Sequence, residues 1–186
     1  PYYNKPSQEG LMAHFSALAE CTEKPIILYS IPSRCGIEIQ NTTVLRLYEK
    51  YPNICAIKEA GGRSSKVSDL ACALDDEFII LSGDDGLTLP FISRGAKGVI
   101  SVASNIIPDI VARLVHSALD NNFQEARKIH LDNFRFFNDI FIEPNPVPIK
   151  TIMFIKNLIS SPEVRLPLTP PNKENLNLLK NISNKL

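Results

Sequence analysis

The stretch ICAIKEA at residues 54–60 puts a lysine at the exit of an isoleucine-rich run that reads as a strand. An ammonium is costly to bury, so the plain account of Lys58 is a side chain that snorkels to water or pairs with Glu59 or another carboxylate. The chemical account is covalent catalysis through a Schiff base, which needs a neutral amine to attack a carbonyl. A lysine at its ordinary pKa of about 10.4 is almost wholly protonated at pH 7. Apolar neighbours such as Ile54 and Ile57 disfavour the cation. Imine chemistry also needs a proton shuttle, because a carbinolamine loses water and an enamine gains and loses protons. Tyr29, at the end of PIILYS, is the candidate shuttle, set against its plain reading as a core aromatic with a satisfied hydroxyl. Arg34 follows in IPSRCG, a turn stiffened by Pro32 and ended by Gly36. Its planar, permanently charged fork suits a substrate carboxylate; the plain reading is a surface arginine.

What must position these residues is an alternation of strands and helices. SQEGLMAHFSALAEC has helical periodicity, with Leu11, Phe15, Leu18 and Ala19 on one face and Ser7 as N-cap. PIILYS, ICAIKEA, EFIILSG and KGVISVAS read as strands. NTTVLRLYEKY (capped by Asn41 or Thr42), SSKVSDLACAL, DGLTLPFISRG and PDIVARLVHSAL read as the helices among them. Strands apolar throughout imply a parallel sheet covered on both faces. After residue 122 the pattern turns helical, with PNPVP and LPLTPP as rigid breaks. Two folds accommodate this: an open doubly wound sheet or part of a closed (β/α)8 barrel. The GxGxxG fingerprint is absent, and a whole barrel needs about 250 residues, so this length holds half of one plus a tail.

In any parallel α/β sheet, chemistry gathers at the carboxyl ends of the strands. Those ends carry Tyr29 with Arg34, Lys58 with Glu59, Gly83 with Asp84 and Asp85, and then Ser101 to Asn105. Only Lys58 and Lys97 among the basic residues touch strands. Lys97 precedes GVISV, on the amino-terminal face, whereas Lys58 lies on the functional one.

Composition narrows the classes. Twenty basic and twenty acidic side chains in 186 residues give no electrostatic reason to expect nucleic acid or an anionic membrane surface. No apolar run approaches the roughly 20 residues that span a bilayer. Cys21, Cys35, Cys55 and Cys72 have neither CxxC nor zinc-ligand spacing. Cys55 and Cys72 read as small core residues, and a cytoplasmic location follows. His14, His116 and His130 are scattered on helical stretches and read as structural.

PYYNKPSQEGL, ILYSIPSRCG, AIKEAGG, LSGDD, KGVISVASN, EPNPVPIK and RLPLTP together, and in this order, resemble the dihydrodipicolinate synthase (4-hydroxy-tetrahydrodipicolinate synthase) family. The resemblance implies a partial (β/α)8 TIM barrel: residues 1–121 as its second half, strands 5–8, and 122–186 as a helical C-terminal domain. The chain is then expected to be the C-terminal portion of such a protein, lacking the first four βα units. The absent part is expected to include the GTTGE-type loop with its relay threonine and pyruvate-carboxylate donors, so these residues alone are expected to be inactive or poorly folded.

The implied activity is a class I aldolase-type lyase that condenses pyruvate with L-aspartate 4-semialdehyde on the path to diaminopimelate and lysine. It implies no cofactor, no metal, and a cytoplasmic homotetramer without nucleic-acid or membrane partners. Lys58 is implied to form the imine and Tyr29 to donate and accept protons. Tyr3 is implied to be a relay reaching into a neighbouring subunit, with Tyr2 near the subunit interface. Arg34 is implied to bind carboxylate, and Gly83 and Ile100 to line the pyruvate pocket. Ser30 stands where Asn often follows the tyrosine, and Gly61 where Thr or Ser often follows KEA. Two alternatives remain: another pyruvate-dependent aldolase such as N-acetylneuraminate lyase, which usually lacks the arginine of IPSRCG and the EPNPVPIK segment, or a non-catalytic truncated remnant.

Overall fold

In the computed structural model, which describes residues 1–186, the first helix starts at its expected cap. Ser7 is extended and its Oγ accepts from Gly10 N at 3.2 Å ahead of α1 (Gln8–Glu20), satisfying one donor that a helix start leaves open. Leu11 and Ala19 are buried, while Leu18, expected on the same face, is exposed. Four strands follow: β1 (Ile26–Ser30), β2 (Ile54–Glu59), β3 (Ile79–Ser82) and β4 (Gly98–Val99). Between them run α2 (Pro32–Cys35), α3 (Asn41–Lys50), α4 (Ser64–Ala73) and α5 (Thr88–Ile92). Gly36, with φ +70°, ends the single turn of α2 by donating its N–H to Pro32 O at 2.8 Å.

The strands pair in parallel in the order β1-β2-β3-β4. That order never reverses, whereas a doubly wound sheet needs a point where it does. Right-handed crossovers laid down in one direction put the connecting helices on one face. Burial agrees: Leu28, Ser30, Ile80 and Ser82 are buried, whereas Ile27, Tyr29 and Ile79 are 47%, 44% and 40% exposed. The expectation of a sheet covered on both faces is therefore corrected. A continuous apolar run reports that both faces are apolar, not that both are covered.

The placement of these strands as 5–8, the second half of a barrel, is also corrected, and with it the description of the chain as a C-terminal portion lacking four βα units. The sheet holds four strands, they are the first four of this chain, all between Ile26 and Val99, and only helices occur from Ala103 to Ser183. The layout is a four-stranded parallel sheet followed by helices alone.

Three local expectations are revised. The strand read in KGVISVAS pairs only at Gly98–Val99. Ser101 and Ser104 then bond locally, Ser104 N to Ser101 Oγ at 2.8 Å, and the chain enters a 3₁₀ turn at Ala103–Asn105. The cap of α3 is Gln40, not Asn41 or Thr42, and its own side chain makes no capping bond. Gln8 of α1 serves instead: its Oε1 accepts from Gln40 N at 3.1 Å and Thr43 Oγ1 at 2.7 Å, and its Nε2 donates to Glu38 O at 2.9 Å. Cys72, expected in the core, is exposed and Cys55 half-buried; all four cysteines are free thiols.

The chain divides into two compact units, Pro1–Ile100 and Ser101–Leu186. The second is helical: α6 (Pro108–Leu119), α7 (Phe123–Asp139), α8 (Val147–Ile155) and α9 (Lys173–Ser183). Pro108 occupies the first turn of α6, and Asn122 and Asn172 cap α7 and α9. Leu114, Phe137, Ile140, Ile152 and Leu179 form its core. No helix is long and apolar enough to cross a membrane.

Candidate functional site

The parallel register sets Tyr29 beside Lys58, and Lys58 beside Leu81 of β3. Because side chains alternate along a strand, Tyr29 and Lys58 stand on the open face while their neighbours Ser30 and Glu59 point to the helix-covered one. Lys58 Nζ lies over the Tyr29 ring, 4.0 Å from its centroid, the geometry of a cation–π contact. The ring face rather than the phenol oxygen meets the amine. Lys58 is half-buried, so apolar enclosure is partial in this chain.

The ladder continues past the strand ends and sets where the other candidate residues lie. Ala60 N donates to Ser30 O at 2.9 Å, Gly83 N to Glu59 O at 2.8 Å, and Ile100 N to Ser82 O at 2.9 Å. Gly83 lies tight against the lysine: a Cβ there would stand 3.2 Å from Lys58 Cε, 3.2 Å from Glu59 O and 2.8 Å from Ala60 Cβ. The glycine leaves the lysine stem its room. Ile100 has an exposed side chain on this end of the sheet. The loop after β3 is held by Ser82, whose Oγ donates to Asp84 O at 2.7 Å, and by Asp84 Oδ1, which accepts from Leu87 N at 3.2 Å. Arg34 sits on α2, just past β1, at the same end of the sheet. Tyr3 is not drawn into this group. It is 88% exposed on the segment before α1, with φ +72°.

Behind the strand ends lies a buried charged cluster that the sequence reading missed. Glu59 is fully buried and Lys66 of α4 is 3% exposed. Glu59 Oε2 meets Lys66 Nζ at 2.7 Å, and Glu59 Oε1 accepts from Gly61 N at 2.6 Å. The ammonium also donates to Ile39 O at 2.7 Å and Ser30 Oγ at 3.4 Å, and lies 3.4 Å from Glu38 Oε1. Glu38 Oε2 in turn accepts from Arg63 Nη2 at 2.6 Å. Two carboxylates and two cations alternate, so the burial leaves no uncompensated charge. Gly61 belongs to the same design, since a Cβ on it would fall 2.5 Å from Glu59 Oε1. The one available signal was spacing: Lys66 lies on the first turn of a helix directly after the KEAGG turn.

With this geometry in view, the relatives are informative. The dihydrodipicolinate synthetase family model matches residues 1–186. The 4-hydroxy-tetrahydrodipicolinate synthase of Sulfurihydrogenibium sp. is 49% identical over 185 residues, covering 100% of this chain and 63% of that protein. The crystal structure of dihydrodipicolinate synthase from Aquifex aeolicus superposes with a TM-score of 0.97 at 44% identity, over 100% of this chain and 63% of that one. The 4-hydroxy-tetrahydrodipicolinate synthase of Methylacidiphilum fumariolicum SolV gives a TM-score of 0.96 at 54% identity, over 100% of this chain and 61% of that one. The chain thus spans about 63% of the length of the curated relative from Sulfurihydrogenibium. A full-length match to the family model, with the lysine–tyrosine pair on adjacent parallel strands, makes this chain a member of the dihydrodipicolinate synthetase family.

Proposed function

We propose that the protein acts as a 4-hydroxy-tetrahydrodipicolinate synthase, a class I aldolase-type lyase joining pyruvate to L-aspartate 4-semialdehyde in lysine and diaminopimelate biosynthesis. The observation that carries it is the in-register pair of Tyr29 and Lys58, with the amine 4.0 Å from the ring centroid. Lys58 Nζ attacks the keto carbon of pyruvate, and the carbinolamine loses water to give an imine. Loss of a methyl proton gives an enamine, whose carbon attacks the aldehyde of the second substrate; the new oxyanion takes up a proton, and attack by the second substrate's amine releases Lys58. Tyr29 serves these proton transfers from its place beside the amine. Arg34 takes a substrate carboxylate, Gly83 keeps the pocket floor open, and the backbone at Ile100 borders the pyruvate. No cofactor is part of the scheme.

Tyr3 is assigned to a neighbouring copy's site in a homotetramer, and its exposed position supports a role outside its own chain. A cytoplasmic location belongs to the same proposal, supported by four free thiols.

Incubation with pyruvate and borohydride, followed by peptide mass analysis, tests the scheme. Reduced pyruvate is expected on the peptide containing Lys58 and is expected to vanish in Lys58→Ala. A folded chain whose Lys58 stays unmodified at saturating pyruvate sinks the imine. Turnover with N-acetylmannosamine but not aspartate 4-semialdehyde as acceptor would move the chain to the N-acetylneuraminate lyase chemistry instead.

A further inference from the structure

We propose that Lys66 is a positioning residue for the reacting pair, acting through Glu59 and Ser30 from behind the sheet; this rests on the imine reading of Lys58. The register pairs Tyr29 with Lys58 and, one residue on, Ser30 with Glu59. On the open face the first pair does the chemistry. On the covered face one ammonium grips both members of the second pair, Glu59 Oε2 at 2.7 Å and Ser30 Oγ at 3.4 Å. A strand residue cannot rotate without turning its neighbour, because successive side chains leave the same pleated backbone on opposite faces. Holding Ser30 and Glu59 together therefore fixes the separation and twist of Tyr29 and Lys58.

Lys66 is anchored in its turn. It donates to Ile39 O at 2.7 Å, and its charge is shared with Glu38, which Arg63 balances. Glu59 is locked from the other side by Gly61 N at 2.6 Å, and its carbonyl holds Gly83 N at 2.8 Å. The clamp thus reaches three strand ends at the point where the amine leaves the sheet. Without the ammonium, a fully buried carboxylate keeps one backbone donor, and the exit of β2 relaxes to hydrate or protonate it.

The test measures how fast the pyruvate imine accumulates on Lys58, by borohydride quenching at timed intervals, in the unaltered chain and in Lys66→Met, Lys66→Arg and the double variant Glu59→Gln/Lys66→Met. Circular dichroism sets the folded fraction of each. Lys66→Met is expected to slow imine formation at saturating pyruvate at least about tenfold, the scale of rate loss from sub-ångström to 1 Å misplacement. The half-saturating pyruvate concentration is expected to stay unchanged, and Lys66→Arg to recover most of the rate. A merely structural lysine would lower the folded fraction and the trapped amplitude but leave the rate constant alone. If Lys66→Met does not fold, the double variant, which removes both buried charges, decides by the same rate. A folded variant without this ammonium that forms the imine at the unaltered rate overturns the proposal. Absence of trapping in the unaltered chain overturns the imine reading first, and this inference with it.

Discussion

Gly83 shows what a missing side chain does at the site. A methyl there would press on Lys58 Cε at 3.2 Å, Glu59 O at 3.2 Å and Ala60 Cβ at 2.8 Å, and two of these three belong to backbone or a stiff strand neighbour. Overpacking of this kind costs about 1–3 kcal/mol, so Gly83→Ala is expected to lower the denaturant midpoint accordingly and also to slow borohydride trapping at Lys58. Equal trapping rates in the two proteins would mean that the lysine stem is not confined by this residue. Gly61 is the companion case. It stands where Thr or Ser often follows KEA, but a Cβ here would lie 2.5 Å from Glu59 Oε1, so in this fold the glycine makes room for a buried carboxylate and donates to it.

At the level of elements, two helix starts in this chain use different means. Helix α1 is capped locally by Ser7, whose bond to Gly10 N is exposed. Helix α3 borrows Gln8 from α1, and the Thr43 hydroxyl that bonds Gln8 Oε1 is buried. Ser7→Ala is expected to cost about 1 kcal/mol, the usual worth of an exposed cap. Gln8→Ala is expected to cost more, in the range of about 1–3 kcal/mol, because it strands a buried donor and unties two helices at once. Chemical unfolding of the two variants side by side checks the order; a smaller loss for Gln8→Ala would show that water replaces the amide.

For the molecule as a whole, the measurable property is stability against pH, and His130 supplies a slope. Its ring packs against Phe134 and Phe137 at centroid distances of 5.3 Å and 6.3 Å, and its Nδ1 is buried without a hydrogen-bond partner. Burial pushes its pKa below the usual 6.5. The unfolded chain then binds more protons than the folded one just below that value, so stability rises with pH there. The sign is therefore fixed: stability is full above pH 6.5 and is lost as pH falls from there through the lowered folded value. Thermal unfolding between pH 7 and 5 is expected to show this decline, and His130→Phe to flatten it. A decline that persists unchanged in that variant would place its origin in other groups.

Much of this protein is legible in its residues alone because the governing interactions are local. Apolar runs bounded by proline and glycine announce β1, β2 and β3, a 3.6-residue period announces the helices, and Ser7 announces its cap. The strand-end rule picks out Lys58 and Tyr29 before any geometry is known. What the residues could not reveal is set by contacts across tens of positions. The borrowed cap from Gln8, the side of the sheet left open, the position of the strands at the front of the chain with helices only after them, and the pairing of Glu59 with Lys66 all belong to this class. A lysine on a helix and a glutamate on a strand look like solvated charges in sequence. Only the fold, by packing α4 onto the covered face of β2, takes both out of water and makes each the other's necessary partner.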